Sequence, residues 1–185
     1  MSMLPEILEN RTAALRAVDF PDLVAGVGAL FGLSHPAGRC FSAIWRAAQA
    51  PCADELTAVL GLSRSNVSTA LKELRDWGLI ARARAPGDRK EYFTAPPEPW
   101  EVFRIMLAAR RRRFLAPHLD RILAYEAETG DARAAALHSM LFLVSDNMAR
   151  QAALTPAELE REFQGPENRE KPKSSGKKKK RKRKN

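Results

Sequence analysis

Apolar residues recur along most of this chain at helical spacing, and one short stretch alternates at the spacing of a strand. Residues 6–18 are weakly amphipathic. Phe20-Pro21-Asp22 then marks a helix start, with the proline at a tolerated early position, and Leu23, Val27, Leu30 and Phe31 form one apolar stripe up to Gly32. Ser34-His35-Pro36 interrupts the pattern, and Phe41, Ile44 and Trp45 resume it up to Ala48.

The next stretch has finer punctuation. Residues 54–60 read as a short helix with Leu56, Val59 and Leu60 apolar, and Gly61 stands where a left-handed residue stops it. Ser63 is placed to cap the amides near Ser65 and Asn66 at the start of a helix over Arg64–Trp77. That helix seats Val67, Leu71 and Leu74 on one side and displays Arg64, Ser65, Ser68, Thr69, Lys72 and Arg75 on the other; Gly78 ends it. Residues 79–84 alternate apolar with basic, Ala85-Pro86-Gly87-Asp88 has turn composition, and residues 89–94 return with Tyr92 and Phe93. Two strands of about six residues around a Gly-Asp turn, directly after a helix-turn-helix, predict a wing.

Pro96, Pro97 and Pro99 separate this unit from a predicted helix over 100–115, with Trp100, Phe103, Met106, Leu107 and Phe114 on its apolar side. Pro117 opens a second helix, and after Thr129-Gly130-Asp131 a long one carries Ala134, Leu137, Leu141, Val144 and Met148 in a heptad-like seam suited to packing two helices together. Thr155-Pro156-Ala157-Glu158 has the form of a capping box opening a last helix to Phe163. From Gly165 onward Pro, Ser, Gly and Lys dominate, and the ending KKKKRKRKN predicts disorder. The expected fold class is all-α with a small two-stranded β wing. Residues 1–35 are N-terminal helices for dimerisation, 36–95 a winged helix-turn-helix, 98–164 a C-terminal helical dimerisation region, and 165–185 a basic tail.

Charge changes this picture only locally. The net charge is +9, but ten basic and no acidic residues follow Glu170, which leaves the rest of the chain close to balance. Any case for nucleic acid therefore rests on where cations sit. No apolar run approaches a membrane span, and MSMLPEILEN lacks the basic start and apolar stretch of a secretory signal. Two cysteines, Cys40 and Cys52, suit a reducing compartment, so a cytoplasmic location is expected.

The polar side of the helix over Arg64–Trp77 has the chemistry of a major-groove reader. Short side chains near its start, Ser65, Asn66, Ser68 and Thr69, allow close approach to base edges, and Arg64 has the two-pronged geometry that recognises guanine. Lys72 and Arg75 lie where phosphates would be met. In the wing, Arg82, Arg84, Asp88, Arg89 and Lys90 are the candidates, with Arg89-Lys90 as a basic tip fit for a narrow minor groove. The expected partner is double-stranded DNA. Two copies of the chain would set their reading helices about 34–36 Å apart, so the operator should be an imperfect palindrome. A small-molecule effector would act by changing that separation. The alternative is a winged helix whose residues 64–75 meet an acidic protein surface, or an RNA-associated protein anchored by its tail.

LGLSRSNVSTALKELRDWGLIARARAPGDRKEYFTA followed by PWEVFRIML resembles the MarR-like regulators, in particular the GbsR-type group controlling choline and glycine-betaine genes. The GDRKEYF and PW-opened segments are the most specific parts, and the earlier GLSHPAGRCFSAIW is similar too. The resemblance covers about residues 28–115. It implies a dimeric, repressor-like regulator whose outer helices pair, with residues 64–72 reading DNA and residues 88–90 at the wing tip. The lysine-rich tail departs from the family pattern, and the C-terminal helices carry no ligand motif, so the family's effector chemistry does not transfer.

The remaining residues add little chemistry. Arg110, Arg111, Arg112 and Arg113 sweep around a helix and read as a solvated face, with phosphate contact as the alternative. Cys40 and Cys52 read as ordinary buried thiols, with redox sensing as the sharper reading. His35, His118 and His138 have no metal spacing, and no phosphate loop, nucleophile motif or acid pair is present. No catalytic residue, cofactor or metal is expected. Trp45, Trp77, Trp100, Tyr92 and Phe103 could line a cage for a quaternary ammonium ion, though their spacing suits a core.

Overall fold

A computed structural model of the chain describes residues 19–83 and 89–168. The predicted helix over 6–18 lies outside them, as does the chain after Asn168. The first described helix, α1 (Phe20–Phe31), has proline in its first turn and ends at Gly32 in the left-handed region, φ 91°. Helix α2 (His35–Arg46) begins where Ser34 caps it, its Oγ accepting the Ala37 N–H at 3.3 Å. The two helices cross closely at Gly38: a Cβ there would stand 2.4 Å from the Cα of Ala25.

Helix α3 (Ala53–Leu60) and helix α4 (Arg64–Trp77) form the predicted pair. Gly61 between them takes φ 62°, and Gly78 closes α4 at φ 80°. Strands β1 (Ala81–Ala83) and β2 (Tyr92–Thr94) pair antiparallel in the register Ala81 with Thr94, Arg82 with Phe93 and Ala83 with Tyr92. Among the described residues each has three, and Leu79, Ile80 and residues 89–91 of the expected strands lie outside the paired segments. Leu79 and Ile80, which made the sequence alternate, are buried before β1 begins, while β1 itself is exposed throughout. The core joins α2, α3 and α4 to β2 and the helix after it through Phe41, Leu56, Val67, Leu74, Trp77, Leu79, Phe93 and Met106.

The C-terminal region departs from expectation at Pro117. Helix α5 (Pro99–Arg110) runs through a π-helical turn, Arg111–Leu115, directly into α6 (Ala116–Thr129). The Ala116 N–H reaches the Arg111 carbonyl, five residues back. Proline lacks an N–H and crowds the carbonyl four residues before it, and the widened turn accommodates both demands without ending the helix. Gly130 at φ 65° and Asp131, whose side chain accepts the Arg133 N–H at 2.8 Å, turn the chain into α7 (Ala132–Ala153). Helix α8 (Pro156–Asn168) opens on the predicted box, with the Thr155 N–H donating to Glu158 at 2.9 Å, and its helical backbone breaks at Gly165. Ser145 is the buried point of α7, whereas Leu137 and Val144 of the expected seam are exposed with Met140, Phe142 and Leu143. Among the described residues, no helix is long and apolar enough to cross a membrane.

Candidate nucleic-acid interface

The geometry of α4 follows from its caps and its apolar side. Ser63 Oγ accepts the Asn66 N–H at 3.2 Å and lies 3.0 Å from Ser65 Oγ, which fixes the first turn. Val67, Ala70, Leu71, Leu74 and Trp77 are buried. Arg64, Ser65, Asn66, Ser68, Thr69 and Lys72 are exposed, and neither Arg64 nor Lys72 has an ion-pair partner among the described residues. Six of the seven expected side chains thus share an open surface. Arg75 differs: it is half-buried, and its Nε is enclosed without a hydrogen-bond partner. The step from Lys72 to Arg75 turns the side chain roughly 60° back toward the buried side.

The wing is closed by an ion pair of its own and tied to the rest of the unit along β2. Arg82 Nη1 donates to Glu91 Oε1 at 2.7 Å, so its charge is locally matched rather than displayed alone. This pair is exposed and screened, so it contributes little stability. Arg89 and Lys90 are both exposed. Lys90 lies near the start of α3, where its charge adds to the lowering of the Glu55 pKa, an effect due mainly to the Cys52 backbone N–H donating to that carboxylate at 2.7 Å. Arg84 and Asp88 lie outside the described residues. An attachment with no cue in the sequence holds β2: the Phe93 N–H donates to the Pro51 carbonyl at 3.0 Å, and Cys52 bridges to Tyr92.

A helix, a Gly turn, a second helix with a polar open side, and a paired wing clipped beside them are the parts of a winged helix-turn-helix. Residues 31–91 match the model of the MarR family. The chain carries a MarR-like winged helix. The crystal structure of a transcriptional regulator is similar over 78% of this chain and 96% of its own, with 25% identity and a TM-score of 0.55. Two others are more distant. The transcriptional regulator Tm0710 from Thermotoga maritima shares 18% identity, covers 82% of this chain and 99% of its own, and has a TM-score of 0.41. A MarR family transcription regulator shares 19% identity, covers 82% and 89%, and has a TM-score of 0.36. No curated protein matches the chain in sequence.

The MarR-like winged helix is mounted on the C-terminal helices by the basic run, in which Arg112 and Arg113 are exposed, as expected of a solvated face, and Arg110 and Arg111 are half-buried. The Arg110 guanidinium lies 4.3 Å from the Phe114 ring centre. Arg111 Nε donates to Ser145 Oγ at 3.0 Å and to the Ser145 carbonyl at 3.2 Å, joining the π-helical turn to α7. Arg112 Nη2 reaches the Asp76 carbonyl at 3.4 Å, and Arg113 stands 5.8 Å from the Trp77 ring centre. Four consecutive residues sweep around a helix, so Arg111 reaches α7 while Arg112 and Arg113 reach the end of α4. A second mount, also missed, joins α4 to α2. Glu73 Oε1 accepts the Ser34 N–H at 2.8 Å, and Glu73 Oε2 accepts the Ser34 hydroxyl at 2.5 Å. These partners are 39 residues apart, and nothing local in the sequence announces them.

Beside the MarR-like winged helix, α1, α2 and α5 border a half-open apolar cavity of about 420 Å³, lined by Leu23, Val27, Phe41, Trp45, Phe103 and Met106 among others. Among the described residues, no charged side chain lines it. The five suspected cage aromatics do not converge there. Trp45 and Phe103 border the cavity; Trp100 packs on Phe103 and Phe163 with ring centres 6.0 and 5.6 Å away; Trp77 faces Phe114 at 6.1 Å; Tyr92 is in the wing. Both cysteines are buried, and burial pushes the Cys40 thiol up to about 11 against the opposing pull of Arg39. Such a thiol holds its proton and is a poor nucleophile. Among the described residues no group of three or more His, Cys, Asp or Glu could hold a metal ion.

Proposed function

We propose that this protein is a non-enzymatic transcription regulator that binds double-stranded DNA in sequence-specific fashion as a homodimer, working in the cytoplasm as a GbsR-type repressor. The observation that carries this reading is the open polar surface of α4, seated by Val67, Leu71 and Leu74 while Arg64, Ser65, Asn66, Ser68, Thr69 and Lys72 face outward. Such a surface offers bidentate and hydroxyl contacts to base edges from a helix narrow enough for the major groove. Arg89 and Lys90, on the exposed side of the wing, would follow the adjacent minor groove. The exposed apolar side chains of α7, Leu137, Met140, Phe142 and Leu143, support pairing of two copies, since monomers rarely leave such a surface uncovered. The apolar cavity beside the winged helix is the natural seat for a small-molecule effector.

The test is selection of bound duplexes from a random pool, followed by affinity measurement for the Arg64→Ala/Thr69→Ala double variant. Loss of preference for the selected operator, with the helical circular dichroism intact, is expected. Each lost base contact of this kind costs about 1–3 kcal/mol of discrimination. Enrichment of no sequence by the wild type, or binding that depends only on residues after Glu170, would replace this reading with a tail-anchored RNA- or protein-binding module.

A further inference from the structure

We propose that Glu73 is a positioning residue for DNA reading: a carboxylate clamp that fixes the roll of α4 about its own axis against α2. The inference rests on the DNA-binding reading of α4. A helix that reads bases with one side must have its roll set closely. At a side-chain radius of about 5–6 Å, a 20° roll carries a contact group roughly 2 Å sideways, enough to break a base-edge hydrogen bond. Burial of Val67, Leu71 and Leu74 decides which side of α4 faces inward, but a non-directional force fixes the roll less sharply than a hydrogen bond does. Directional bonds sharpen it.

Glu73 supplies two of them to one residue. It takes the Ser34 N–H at 2.8 Å and the Ser34 hydroxyl at 2.5 Å. Ser34 is itself immobilised as the cap of α2, since its Oγ also accepts the Ala37 N–H at 3.3 Å. The three groups form a relay from the α2 backbone through one hydroxyl to the carboxylate, and a negative charge at the start of α2 is further favoured by the dipole of that helix. Glu73 lies one turn after Thr69 on the same flank of α4. A carboxylate left free there would repel the phosphates that Lys72 is placed to attract; bonded to Ser34, it is directed to the protein instead. About one turn further on, the C-terminal end of α4 is also held, through the Asp76 carbonyl and Trp77.

Glu73→Ala removes the clamp, Glu73→Gln keeps an acceptor for the amide and a donor for the hydroxyl oxygen, and Ser34→Ala removes the hydroxyl alone. Amide hydrogen exchange on the full chain reads the positioning directly, without DNA. Glu73→Ala should speed exchange in α4 and the first turn of α2 while α7 stays as in the wild type. With DNA, the ratio of operator to random-duplex affinity should fall about tenfold in Glu73→Ala, the scale of losing a charge-assisted bond pair. Ser34→Ala should show a smaller loss, and Glu73→Gln a partial rescue, since it keeps both bonds without the charge that strengthens them. Unchanged exchange in α4 overturns the inference, as does an unchanged affinity ratio. Parallel loss of exchange protection in all helices also overturns it, because the residue would then be merely structural. If the wild type itself prefers no sequence, the DNA-binding reading fails, whereas the exchange data still judge the clamp.

Discussion

Replacing Gly38 with alanine probes how closely α1 and α2 must approach. The added Cβ would stand 2.4 Å from Ala25 Cα, 3.0 Å from its Cβ and 3.2 Å from its amide nitrogen. Carbon atoms in contact ordinarily sit about 3.5–4.0 Å apart, so the helices must separate by roughly 1 Å. The obstacle is backbone, which cannot swing aside as a flexible side chain can. Overpacking of this kind costs about 1–3 kcal/mol, and the better helix propensity of alanine returns up to about 1 kcal/mol. Because the clash is with backbone at 2.4 Å, the overpacking term lies at the upper end, about 2–3 kcal/mol, and a net destabilisation of about 1–2 kcal/mol is expected. Gly26, in the middle of α1 with nothing within 4 Å of its added Cβ, is the matched control. There alanine should stabilise by about 0.5–1 kcal/mol. Urea unfolding of both variants, at unchanged dependence on denaturant, measures the two effects. A Gly38→Ala protein as stable as the wild type, or a Gly26→Ala protein destabilised equally, would refute the close-crossing argument.

Two further outcomes follow from titratable groups. Glu101 accepts two hydrogen bonds from Arg104, at 2.6 and 2.8 Å, while Arg104 also donates to the Ala152 carbonyl at 3.1 Å. Those bonds hold the Glu101 carboxyl below its ordinary 4.5. A depressed pKa means the stabilisation is complete above 4.5 and fades as pH falls below it, so Glu101→Gln should flatten that acid limb of the stability curve; an acid limb like the wild type's counts against the pairing. Cys40 and Cys52 should both resist a thiol reagent at mildly alkaline pH in the folded protein and both react once it is unfolded; rapid labelling of the native protein would show that burial does not protect them.

The winged unit was legible because its punctuation is local. Gly61, Ser63 and Gly78 each impose a backbone state that their own chemistry favours, and the α4 boundaries followed from them. Strand lengths were not legible, since Leu79 and Ile80 belong to the core whether or not they pair. Pro117 read as a break because a proline inside a helix usually is one; its accommodation depends on the widened turn before it. The fates of Arg110 to Arg113 and of Glu73 were hidden for a different reason. Their partners Ser145, Asp76 and Ser34 are distant in sequence, and hydrogen bonds across a fold leave no periodic trace. Arg75 shows the limit of reading a helix as two faces, since its angular position falls on the boundary.

The wall of the cavity limits how finely it can choose among molecules. With no charged side chain among the described residues that line it to demand a matching functional group, preference there would come from size and contour. In such sites a single methylene shifts affinity by about 1–3 kcal/mol. A homologous series of neutral hydrocarbon-like compounds should therefore give a graded dose-response, insensitive to added salt, rather than one compound that acts while its neighbours do not.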